Sequence, residues 1–115
     1  MAKKNTNPVP PSVYDFMVRF APDGTGNHFH LHHSPFDKGV VMGMPLEIRK
    51  LIHNPLNLWW MPKDTHASHA DVPSREEMYK MLCERWGRVP VDAYITDMLS
   101  KFKVQPFTLE SLQGE

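Results

Sequence analysis

The sequence has a single cysteine, Cys83, among its 115 residues. No intrachain disulfide can form from one thiol, and the paired Cys-x-x-Cys ligands of a structural zinc cannot be assembled. Such cysteine usage fits a reducing cytosol, so a cytoplasmic location is expected. Long apolar runs are missing as well. None approaches the roughly 20 residues a membrane helix needs, so no membrane partner is expected. The opening stretch "MAKKNTNPVPP" has two lysines with no apolar stretch behind them and does not read as a secretory signal. An excess of one charge is also absent, because 13 Lys and Arg balance 13 Asp and Glu. That argues against a surface coating a long stretch of nucleic acid. A small site gripping one or two phosphates stays open, since a bound cation brings its own positive charge. The glycines of "DGTGN" (23–27) have neither a lysine nor a helix pattern beside them, so they mark a turn and not a phosphate-binding loop.

The pattern along the chain predicts one domain of α+β class. Residues 1–11, with Pro8, Pro10 and Pro11, read as a disordered N-terminal arm, residues 12–105 as the folded domain, and residues 106–115 as a flexible tail. Val13, Phe16, Val18 and Phe20 alternate imperfectly, which predicts a strand over 12–22. In "HFHLHH" (28–33) a strand would turn Phe29 and Leu31 one way and His28, His30 and His32 the other. A turn is expected at 37–39, and a short helix over 44–55 with Pro45 at its start and Asn54-Pro55 at its end. "NLWWMP" (57–62) reads as a second strand, and 63–70 as a short helix capped by Asp64 or Thr65. Ser74 and Glu77 form a capping box for a helix that stops at Gly87. A last helix begins near Pro90 or Val91, with Val91, Tyr94, Ile95, Met98, Leu99 and Phe102 at core spacing.

What the chain does have is histidine: 7 in all, four of them within residues 28–33. Neutral imidazole is the commonest side-chain ligand for zinc and related ions, and a catalytic site uses about three protein ligands and leaves a position open. His66 and His69 would share one face of the helix over 63–70. His32, from the strand packed against it, would supply the third ligand. His33 points to the other side of an ideal strand, but at a strand end it could turn toward the ion and act as a general base on a water.

Three segments, "LHHSPFD" (31–37), "NPLNLWWMP" (54–62) and "HASH" (66–69), together resemble the HNH, or ββα-metal, nuclease superfamily, in particular its His-His phage-like and toxin-like members. The resemblance covers about residues 28–70, with 74–104 left as a helical extension. It implies a ββα-metal core, a short β-hairpin plus a helix, with additional C-terminal helices. It implies a DNA endonuclease holding one divalent ion (magnesium, manganese, nickel or zinc), with His33 as base and His32, His66 and His69 as ligands. Asn57 becomes the motif asparagine that fixes the loop and helps orient the base, with Asn54 as its competitor. A phage or mobile-element origin follows by the same likeness, with a host-cytoplasmic location and a homodimer or a larger phage or host protein complex as possible assemblies. Three departures stand out: His66 and His69 are three apart where many members use four, the Cys-x-x-Cys pairs are missing, and the gap from His33 to Asn57 is long.

Each residue also has a plainer reading. An isolated His-His pair is ordinarily a hydrogen-bonded or exposed strand feature, and here the downstream Asn and His-x-x-His order weighs against that. His28 and His30 are given no site role, and His53 is read as a helix-end histidine favoured by the helix dipole. Only one of Trp59 and Trp60 can face the core. Cys83 has no base beside it, so a thiol nucleophile is not expected. Arg49, Lys50, Lys63 and Arg75 flank the site as candidate DNA-phosphate contacts or as ordinary solvated charge. The rival function is a non-catalytic module, stabilised by metal or by none, that binds a protein or DNA partner as a phage inhibitor might.

Overall fold

The computed structural model describes residues 9–41, 43–68, 71–101 and 107–114. Among them are six α-helices and one two-stranded antiparallel sheet, compatible with the α+β class. Helix α1 (Pro11–Met17) places proline in its first turn, where the missing N–H costs nothing, and a 3-10 turn (Val18–Phe20) continues it. This replaces the strand expected over 12–22. Val13, Phe16, Met17 and Phe20 recur at three- and four-residue spacing, which is the helical period, and Met17 is fully buried. The arm expected over 1–11 gives way at Pro10, whose carbonyl accepts from Tyr14 N at 2.9 Å; residues 1–8 lie outside the described residues.

Strands β1 (Phe29–His33) and β2 (Leu58–Pro62) pair with Leu31 opposite Trp60, His32 opposite Trp59 and His33 opposite Leu58. The pleat buries Leu31 and His33 on one face and leaves His30 and His32 on the other. Trp60 is the buried member of the tryptophan pair and donates its Nε1–H to Met17 O at 2.7 Å. Gly26, at φ 79, lets the turn before β1 lie against that indole, because a Cβ there would stand 2.7 Å from the Trp60 ring.

The chain between the strands folds into short helical pieces: a 3-10 helix (Lys38–Val41) where a turn was expected, α2 (Leu46–Arg49), and two further 3-10 helices (Lys50–His53, Pro55–Asn57). The helix expected over 44–55 is thus split, and it ends at Asn54 as expected. Helix α3 (Lys63–Ser68) follows β2 without a break, so Asp64 and Thr65 lie inside it and do not cap it. Helix α4 (Arg75–Trp86) carries the Ser74–Glu77 capping box, with reciprocal bonds of 3.0 and 3.1 Å, and ends at Gly87 with φ 95. Helix α5 (Arg88–Lys101) starts slightly earlier than predicted and buries Val91, Ile95 and Met98; Phe102 lies outside the described residues.

The predicted flexible tail over 106–115 is corrected by α6 (Leu109–Gln113). A local box joins Thr108 and Ser111, and Leu112 is fully buried, so a cap and an apolar anchor hold a segment that short. Two cores result. Met17, Ala21, Leu31, Leu58 and Trp60 join α1 to the hairpin, while the larger core gathers α4, α5 and α6 around Phe36, Val41 and Ile52 of the inter-strand segment. No described helix is long and apolar enough to cross a membrane.

Candidate active site

The pleat that buries Leu31 and His33 sends His30 and His32 toward α3, which presents His66 to both. Because α3 continues directly from β2, His66 is carried by the sheet itself. The His32 and His66 ring centroids are 5.3 Å apart, and those of His30 and His66 are 5.1 Å apart. His30 Nδ1 and His66 Nδ1 approach to 3.0 Å and share a hydrogen bond. His30, given no role from sequence, is therefore a direct neighbour of the helix histidine. Its position two residues before His32 was the available signal, since both must lie on one strand face. His69 lies outside the described residues.

Imidazole is a donor type that divalent transition ions take, and the 3.0 Å separation of the His30 and His66 nitrogens is that of a hydrogen bond. Among the described residues, no group of three or more His, Cys, Asp or Glu side chains closes into a metal-binding set.

His33 behaves differently from its neighbour. It keeps regular strand pairing with Leu58, and Ser34 N extends the ladder to Asn57 O at 3.1 Å, so the side chain stays on the face opposite His32. It is 7% exposed and hydrogen-bonds through Nε2 to Nδ1 of His53, itself 3% exposed, at 3.0 Å. His53 is thus a buried partner of His33 as well as the last residue of its 3-10 helix, the helix-end place expected from sequence. No spacing rule could have found this pair, because the two residues are 20 apart and meet only when the inter-strand segment folds back. His33 also lines an open cavity of about 480 Å³ together with His30, His66, Lys63 and Tyr14. A second cavity of about 240 Å³ is lined by His32, His33, Asp37 and Arg75.

Asn57 and Asn54 differ sharply. Asn57 is fully buried: its Oδ1 accepts from Phe36 N at 2.9 Å, and its Nδ2 donates to Phe36 O at 2.7 Å and to Ile52 O at 2.9 Å. One carboxamide therefore ties together the residues after His33 and before His53. Asn54 is exposed and accepts from Leu56 N at 2.9 Å, capping a single 3-10 turn.

The four flanking cations also separate. Arg75 donates to Pro35 O at 3.1 Å and to Asp37 at 3.3 Å, with its guanidinium over Phe107, so it pins the loop after His33. Lys63 is exposed on the wall of the larger cavity, and Lys50 is exposed on its 3-10 turn. Arg49 is half-buried, and its Nε has no hydrogen-bond partner among the described residues. Trp59 packs under the Arg85 guanidinium at 4.0 Å. Burial pushes the Cys83 thiol up from its ordinary value, the opposite of what a thiolate nucleophile needs. Comparison with known proteins returns no matching family model, no matching curated protein and no matching solved structure.

Proposed function

We propose that the protein is a metal-dependent endonuclease that hydrolyses DNA phosphodiester bonds, its hairpin and α3 forming a ββα-metal core of the HNH type. The observation that carries this reading is the meeting of His32 on β1 with His66 on α3, ring centroids 5.3 Å apart; His33, on the opposite strand face, lines an open cavity together with His66. His32 and His66 would hold one divalent ion, magnesium, manganese, nickel or zinc, with His69, which lies outside the described residues, as the further ligand expected from the sequence. The bound ion would polarise the phosphodiester and stabilise charge on the leaving oxygen. His33 takes the proton of a water as the water oxygen bonds to phosphorus and the bond to the leaving oxygen breaks. Asn57 keeps the loop after His33 in register by its bonds to Phe36 and Ile52. Lys63, exposed on the cavity wall, is placed to meet a phosphate there, and Arg49 and Lys50 are further candidate contacts. Arg75 acts through the loop that it pins.

The test is plasmid nicking by the full chain supplied in turn with each of the four ions. His33→Ala should lower the rate on the order of 10²- to 10⁴-fold, the usual contribution of a general base, while retaining metal binding by calorimetry. His66→Ala should lose metal binding as well. A wild type inert with every ion, or a His33→Ala protein that nicks as fast, overturns the reading. One observation favours the rival, a non-catalytic module binding a protein or DNA. His33 is 7% exposed and bonded to a buried partner, as a structural core histidine would be. The same assay separates the two.

A further inference from the structure

We propose that Arg19, Phe16, Phe20, Trp86 and Arg85 form a docking surface for single-stranded DNA, with phosphates on the two guanidinium groups and bases against the rings. The choice of DNA as partner rests on the nuclease reading; the surface itself lies outside the histidine centre. Helices α1 and α4 meet here through aromatic rings. Phe16 stacks on Trp86 with centroids 6.1 Å apart and planes at 21°, and Phe20 meets the same indole edge-on at 5.2 Å. Arg19 lies 5.5 Å over the Phe16 ring, and Arg85 lies 5.0 Å from that of Phe20 and 4.0 Å from that of Trp59. Two cations thus flank a band of rings. Phe16 is 36% exposed, Arg19 is exposed, and Phe20 and Trp86 are half-buried, so the band faces solvent.

Both cations are short of counter-charge. A guanidinium drawn out of water is ordinarily paired with a carboxylate. Arg85 is half-buried, yet among the described residues neither it nor Arg19 joins an ion pair. Asp15, four residues before Arg19, and Glu84, beside Arg85, are exposed and pair with neither. Arg85 Nη1 and Trp86 Nε1 are buried donors with no hydrogen-bond partner among the described residues. Burial pushes the Arg85 pKa down from its ordinary value, as expected of an uncompensated cation. Unpaired guanidinium forks suit phosphates, and open rings suit unpaired bases. A duplex keeps its base faces stacked inside and would leave the rings unused. Trp59, under Arg85, is the cross-strand partner of His32. The band therefore starts on the sheet face of the histidine centre, where a bound strand would deliver its phosphodiester.

The experiment measures fluorescence anisotropy of a labelled single-stranded oligonucleotide, and of its duplex, with the full chain in EDTA so that nothing is cut. The single strand should bind more tightly than the duplex. Arg85→Gln and Arg19→Gln should each reduce the slope of log affinity against log salt by about 0.7, the share of one single-strand phosphate. Phe16→Ala should weaken single-strand binding about 5-fold or more, the worth of a stacked base, and leave the slope alone. Arg19 is exposed, so its variant keeps the test standing if Arg85→Gln does not fold. Equal affinity for duplex and single strand, or a slope unchanged in Arg19→Gln, overturns the inference. So does a wild type that binds no DNA but self-associates in sedimentation through a Phe16-dependent contact. A chain inert in nicking that still binds single strands in this pattern upholds the inference and overturns only the nuclease reading. A chain that nicks while its salt slopes stay unchanged loses this inference alone.

Discussion

Among the described residues from α4 to α6 the buried side chains are Met78, Leu82, Val91, Ile95, Met98, Phe107 and Leu112, all apolar, with Tyr79, whose hydroxyl donates to Asp92, as the one carrying a polar group. Between His33 and Asn57 the interior holds Phe36, Val41 and Ile52, and with them the buried polar residues His33, Ser34, His53 and Asn57. The two regions share one core but are held by different physics. Apolar burial is non-directional, worth about 25 cal/mol per Å² removed from water, and tolerates swaps that conserve volume. Buried polar groups must find partners at set distances, so a segment built on them is specified by geometry as well as by volume. The helical half supplies stability. The inter-strand segment spends some of it on holding His33, His53 and Asn57 in one arrangement.

Substitutions in the two regions should therefore fail in different ways. Leu82→Ala opens a cavity in the helical core and should cost about 2–5 kcal/mol in urea unfolding, with nicking per folded molecule unchanged. Asn57→Ala should cost a similar amount, because it leaves three buried backbone groups, Phe36 N, Phe36 O and Ile52 O, without their partner at about 1–3 kcal/mol each. Unlike the leucine variant, it should also depress nicking by the folded fraction. An Asn57→Ala protein that is destabilised yet fully active would remove the distinction between the regions.

At the start of α4, Ser74→Ala breaks the capping box and should cost about 1 kcal/mol by thermal or urea unfolding, leaving activity intact. The smallest effect lies in the turn before β1. The Gly26 N–H foremost, with those of Thr25 and His28, holds the Asp23 carboxyl down at about 2 against an ordinary 3.8. The folded state then binds fewer protons than the unfolded one across that window. Its contribution is complete above 3.8 and is lost as pH falls toward about 2. Asp23→Ala should flatten the acid limb of the stability curve there, measured as urea midpoint against pH, with its loss of stability full in the neutral range and gone below about 2.

Much of the fold was legible where local rules suffice. Ser74, Glu77 and Gly87 bounded α4 correctly because a capping box and a glycine stop act over three residues or fewer. The strand alternation of Phe29 to His32 held for the same reason. The helix α1 was misread because Val13, Phe16, Val18 and Phe20 fit a strand loosely, while Met17, the residue that is buried, completes a helical stripe instead. Helix α6 was missed because five residues give too short a period to read, and its anchor Leu112 is seen only against the core.

Within the candidate site the same division applies. That His30 and His32 share a face follows from the sequence alone, since successive side chains in any strand alternate. That His30 joins His66 and that His33 is bonded to His53 came only from the folded chain, whereas the pairing of His32 with His66 and the choice of Asn57 over Asn54 were expectations of the resemblance, to which the folded chain adds the bonds that Asn57 makes. Those contacts join residues 36, 20 and 21 apart. No local period encodes such separations; they exist because β2 pairs with β1 and draws both ends of the inter-strand segment together.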